Sequence, residues 1–171
     1  MSLRRSKGFT LVELMITLIV FVVLAAMAYP SFTGMIRSNR ISAGNNEMIG
    51  LLSLARSEGI RNNSGGGVCG SSDGTACNGS WNDGVMAWTD ADGNGEFGAD
   101  DTVLRFTAGN RNVTVGAPDP DVIAFDARGR RRAVPDQSIT LTPADCKAGE
   151  ASRTLTVNLS GQVRSTNGTC S

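Results

Sequence analysis

Histidine is absent from all 171 residues. That removes the side chain most used for general acid–base work near neutral pH, and with it the commonest nitrogen ligand of zinc. The four cysteines, Cys69, Cys77, Cys146 and Cys170, form no C-x-x-C pair, so a thiolate zinc site is not expected either. With no histidine as base, no nucleophile elbow is furnished, and no phosphate-cradling P-loop occurs. Paired carboxylates gather only in one acidic, glycine-rich loop, where nothing in the composition raises a pKa. The chain therefore does not read as an enzyme. Aromatic residues are scarce at 5%, and lysine and arginine balance aspartate and glutamate at 16 each. A globally basic, nucleic-acid-binding surface is excluded by that balance. Internal repeats are also lacking.

Long apolar runs are rare too, with one exception. From Phe9 to Tyr29 the chain is rich in Leu, Ile, Val, Phe, Met and Ala, with Glu13 as its single charge, and Pro30 closes the run. Twenty-one residues rising 1.5 Å each span about 30 Å, the thickness of a bilayer's hydrocarbon core. A secretory signal peptide has a shorter apolar centre of about 7–15 residues, no acid, and a small-residue cleavage site. Tyr29-Pro30-Ser31-Phe32 has no such site. A carboxylate inside a membrane span costs roughly 3 kcal/mol, so Glu13 needs a partner or a task. The leader carries Arg4, Arg5 and Lys7, which mark the cytoplasmic side, and everything after Tyr29 is then placed across the membrane. Removing that leader leaves 13 basic against 16 acidic residues. Four cysteines suit such an oxidising compartment. They allow three pairings; spacing favours Cys69–Cys77 and Cys146–Cys170, the latter closing a loop that contributes about 3 kcal/mol.

Lys7-Gly8-Phe9-Thr10-Leu11-Val12-Glu13-Leu14 resembles the class III signal of type IV pilins and type II secretion pseudopilins. The resemblance implies a leader of residues 1–8, cut by a prepilin peptidase between Gly8 and Phe9, and N-methylation of the new amino terminus at Phe9. It implies that the apolar segment stays in the mature protein, first as a single-pass inner-membrane anchor and then as part of a pilus or pseudopilus fibre. Glu13 is then expected to meet the Phe9 amine of its own or a neighbouring subunit during assembly.

Beyond Pro30, where a bend is expected, the helix continues as an amphipathic half over residues 30–61. Ile41, Gly44, Met48, Leu51, Leu52, Ala55 and Gly59 form one stripe at helical spacing, ready to cover a sheet. Asn62 to Gly67 end the helix, and residues 62–171 then turn to short alternating runs divided by Gly, Asp, Asn and Pro. Strands are predicted near Gly84–Thr89, Thr102–Thr107, Asn112–Val115, Val122–Asp126, Ser138–Thr142, Arg153–Asn158 and Gln162–Ser165. Trp81, Trp88, Phe106 and Phe125 are the large core candidates. The fold class is α+β: a long N-terminal helix on an antiparallel sheet or pair of sheets in a periplasmic domain. Trp81-x-x-Gly84, Ala87-Trp88-Thr89-Asp90, Val103-Leu104-Arg105-Phe106 and Phe125-Asp126-x-x-Gly129-Arg130 resemble the FimT/FimU-type minor pilins and the GspH pseudopilin. That resemblance implies a minor subunit that starts or caps a fibre. Its partners would be other minor and major pilins, the prepilin peptidase and the inner-membrane assembly platform.

Two constellations remain. Asp90-x-Asp92-x-Asn94-Gly95-Glu96, with Asp101 at the twelfth position, matches the first half of a calcium loop, and calcium is the only cofactor expected. The same residues suit a hairpin turn. Arg128, Arg130, Arg131 and Arg132, with Arg164 in the tail, could grip the phosphates of DNA. DNA-binding FimT-like pilins use a Gly-Arg-x-Arg motif, however, and Gly161-Gln162-Val163-Arg164 has Gln where its first Arg stands. The arginine run reads more plainly as a hairpin turn with solvated charges, or as a contact with an acidic neighbouring subunit.

Overall fold

Leucine, isoleucine, valine and alanine without an interrupting glycine make Leu11 to Tyr29 a continuous helix former, and no described residue of the fold buries it. In the computed structural model, which describes residues 8–119, 121–133 and 135–170, helix α1 runs from Leu11 to Arg61. Pro30 lies within α1 and does not end it. The chain divides into two compact units, with the boundary after Ile36. Every described residue of the first unit from Gly8 to Tyr29 is exposed. An 18-residue window of α1 has a mean hydropathy of 2.7, none of it buried inside the protein. The leader residues 1–7 lie outside the described residues.

Among the described residues, the second unit holds the rest of α1 and eight strands: β1 (Gly65–Gly70), β2 (Gly84–Thr89), β3 (Thr102–Ala108), β4 (Val113–Gly116), β5 (Val122–Asp126), β6 (Gln137–Pro143), β7 (Ala151–Val157) and β8 (Val163–Thr169). They form two four-stranded antiparallel sheets, in the orders β3-β2-β1-β5 and β4-β6-β7-β8. The helical stripe is buried where the spacing places it, at Ile41, Met48, Leu51, Leu52 and Ala55. It joins Val68, Trp81, Ile123 and Phe125 from the side of the first sheet, and Ile139, Leu141, Leu155 and Val157 from the second. Alternation along β1 and β2 sends Cys69, Met86 and Trp88 to the opposite face, where Phe97, Phe106 and Val122 pack on them. Phe106 is therefore only partly buried, because β3 is an edge strand; the expectation of a core phenylalanine there is corrected.

The helix ends in a Schellman motif. Asn63 takes the left-handed conformation (φ 51°), Ser64 N–H donates to the Gly59 carbonyl at 3.2 Å, and Asn63 N–H donates to that of Ile60. The next residues depart from the sequence expectation, since Gly65–Gly67 open the fully buried strand β1 instead of a loop. These glycines are demanded by close approach. A Cβ on Gly66 would lie 2.4 Å from the Ala55 carbonyl oxygen, and one on Gly67 would lie 2.4 Å from the Trp88 ring. Cys69 is joined to Cys77 and Cys146 to Cys170, each with Cα atoms 5.7 Å apart.

Candidate functional site

At the amino-terminal end, Gly8, Phe9 and Thr10 are exposed and non-helical, so the bond after Gly8 lies in open backbone ahead of the helix. Thr10 caps the helix: its Oγ1 accepts from the Glu13 backbone N–H at 3.2 Å, and its carbonyl accepts from Leu14 N–H. Thr10-Leu11-Val12-Glu13 is thus the S/T-x-x-E signature of a helix start, a cue sufficient to place the cap from sequence. Glu13 stands in the first turn, where the helix dipole favours a negative charge. Cap, acid and the Gly8–Phe9 bond all gather at the helix start.

The acidic loop hangs from the end of β2. Asp90 has a fully buried side chain, with Oδ1 accepting from Asn94 N–H and Oδ2 from Gly95 N–H, both at 3.0 Å. The Arg132 guanidinium lies 3.5 Å from Oδ2. Burial pushes the Asp90 carboxyl above its ordinary range, against the pull of the Gly95 N–H and Arg132. The sequence offered no sign of such burial. Asp101 accepts from Ala91 N–H and Gly98 N–H, each at 2.8 Å. One oxygen each from Asp90, Asp92 and Asp101 comes within 4.8 Å of the others. Asn94 stays beside them, its side-chain amide donating to Asp92 Oδ2 at 2.7 Å. The Asn94 amide oxygen accepts from the Glu96 backbone N–H, and the Glu96 residue is exposed. Three of the five expected residues thus gather their carboxylates, with a guanidinium and backbone donors already engaging Asp90.

The arginine run is taken apart by the fold. Arg130 pairs with Asp126 at 3.1 Å. Burial pushes Asp126 up, but N–H donors from Arg130 and Arg128 and the Arg130 guanidinium outweigh it and hold the carboxyl below its ordinary range. Arg131 is 3% exposed and donates to the Gln137 side chain and the Pro135 carbonyl; burial lowers its pKa. Gln137 in turn donates to the Val122 carbonyl at 3.0 Å, so this pair ties the two sheets together. Arg132 turns to Asp90. Arg128 and, on β8, Arg164 are not buried. Arg56, which the sequence pattern left beside the helical stripe, clamps two turns through the Gly129 carbonyl at 2.8 Å and the Ser160 carbonyl at 3.0 Å. Gly161, at φ 75°, packs so closely that a Cβ would lie 2.0 Å from the Gly129 oxygen. The Gly161–Arg164 stretch thus begins with a packing contact.

The sequence pattern of the family described as Type II transport protein GspH matches residues 45–161. The chain belongs to the GspH family. Residues 3–29 match the pattern described as the prokaryotic N-terminal methylation motif. No curated protein matches the chain. Among solved structures, this GspH-family chain is similar to the type IV minor pilin FimU of Pseudomonas aeruginosa strain PAO1 in two crystal forms. The first match has 17% identity and a TM-score of 0.55, covering 74% of this chain and 87% of FimU. The second has 17% identity and a TM-score of 0.53, covering 73% and 91%. The likeness establishes the fold: a long N-terminal helix on two antiparallel sheets, the type IV pilin architecture.

Proposed function

We propose that the chain is a minor type IV pilin that helps initiate or cap a pilus and so supports adhesion and twitching motility. The observation that carries this reading is the uncovered apolar helix from Leu11 to Tyr29, with Glu13 in its first turn as its single charge. A helix meant only for lipid gains nothing from a carboxylate, whereas an acid four residues beyond a newly cut amine supplies an assembly contact. In this reading a prepilin peptidase cuts after Gly8 and methylates Phe9. The chain waits in the inner membrane with its sheets in the periplasm, and the assembly platform passes it to other minor and major pilins. The Glu13–amine attraction is strong in a low-dielectric setting but offset by desolvation, so it sets register more than affinity.

A second reading, a minor pseudopilin of a type II secretion system, is favoured by the family's own description. One deletion strain scored for surface pili, exoprotein secretion and DNA uptake separates them. Loss of pili with intact secretion is expected. Loss of secretion with intact pili would establish the second reading instead, and loss of DNA uptake alone would assign the chain to transformation.

A further inference from the structure

Between α1, the start of β2, the end of β3 and β4 lies a cleft of about 170 Å³. We infer that this cleft receives one apolar side chain of a neighbouring subunit, and that an acidic group beside that side chain pairs with Arg40; the inference rests on the chain being a fibre subunit. The floor is apolar, with Met48, Leu51, Trp81 and Leu141 all buried. Such a floor offers water few partners, and a cavity of roughly 150 Å³ with apolar walls takes a benzene-sized group. A leucine or phenylalanine side chain fits that volume.

Gly44 shows that the space is kept open. It lies in the helical stripe and lines the cleft, yet a Cβ there would meet nothing within 4 Å. Its backbone is helical and its φ is not positive, so no conformational demand selects glycine. At Gly59, in the same stripe, a Cβ would lie 2.8 Å from the Gly65 backbone, which explains that glycine. Glycine inside a helix is unfavourable, and at position 44 nothing within the folded unit offsets it. An incoming side chain would take the place of the one Gly44 lacks.

The rim sets the charge of the partner. Glu47 is engaged by Thr107 Oγ1 at 3.1 Å and by Arg105 at 4.0 Å. Arg40, on the same rim, is exposed and has no ion-pair partner among the described residues. An uncompensated guanidinium beside an apolar socket favours a hydrophobic residue flanked by aspartate or glutamate. Strand addition does not fit β4 here, because the Asn82 side chain already accepts from Val115 N–H at 2.7 Å. Within a fibre a neighbour stands at high effective concentration, so a single-residue socket is enough to matter.

The test uses the full chain in its own host, with sheared fibres and membranes quantified by immunoblot. Gly44→Ala should incorporate like wild type, since its methyl group leaves most of the cleft open. Gly44→Leu and Arg40→Glu should keep membrane levels and reduce the fibre-associated protein by roughly tenfold or more, as expected for loss of one anchoring contact. Wild-type incorporation of Gly44→Leu would overturn the socket. A photo-crosslinking amino acid at the exposed rim residue Ala43 covers the case in which Gly44→Leu fails to accumulate. It should label a pilin segment with an apolar residue next to an acid, and labelling of lipid, or of nothing, would overturn the socket. The deletion strain separates the two readings. If it makes normal pili and also secretes normally, the subunit reading fails. If it does not, while Gly44→Leu behaves as wild type, the socket alone fails.

Discussion

Asp126 has a folded-state pKa held below that of a free aspartate, because it accepts from the N–H groups of Arg128 and Arg130 and meets the Arg130 guanidinium. A depressed carboxyl pKa contributes stability that is fully present above the unfolded value of about 3.9, and that stability is lost as pH falls through the folded value. Asp126→Asn should therefore lower the urea midpoint of the full chain in detergent at pH 7, and the gap to wild type should close as pH falls below about 4. A gap that stays constant with pH would show that the turn is held without the charge. Such single-residue roles were partly legible. Trp81 and Trp88 announced themselves as core by size, and both are buried. Arg131 did not, because four arginines in five positions look alike in sequence, while only the partner at Gln137 makes one of them an interior residue.

Elements were read best where periodicity speaks. The spans of β2 and β5 match their predicted runs, and the helix ends where the Asn-Asn-Ser-Gly cluster said it would. Strand β1 was invisible because glycine carries no hydropathy pattern, although that strand is central to its sheet and contacts the helix backbone directly. Its register pairs Gly66 with Thr89 on one side and Phe125 on the other. Gly66→Ala should cost about 3 kcal/mol, at the upper end of overpacking effects, since the new methyl meets the Ala55 carbonyl and no flexible side chain that could move aside. A fall in melting temperature of only a degree or two would mean that helix and strand separate easily. The acidic loop shows the same limit. Its Asp and Asn spacing suggested five ligands; three carboxylates gather, the Asn94 amide donates to Asp92, and Glu96 is exposed.

For the whole molecule, the decisive division is between a unit whose apolar surface is uncovered and a unit with a closed core. Glu13→Ala tests the join between this division and assembly. It removes a charge from a span, so membrane insertion should be unaffected or improved, while incorporation into the fibre should fall sharply in a shearing assay. Normal incorporation would discard the pairing of Glu13 with the Phe9 amine. The sequence by itself determined the apolar helix and its acid, the methylation motif and the helix's inward stripe, and favoured the short Cys69–Cys77 link, because each of these rests on neighbours in the chain. The tertiary structure alone decided which arginines stay at the surface, that Asp90 is a buried carboxylate, that three glycines open a central strand, and that Gly44 faces an open cleft. Those properties depend on what another part of the chain brings within a few ångströms, and no local pattern records that.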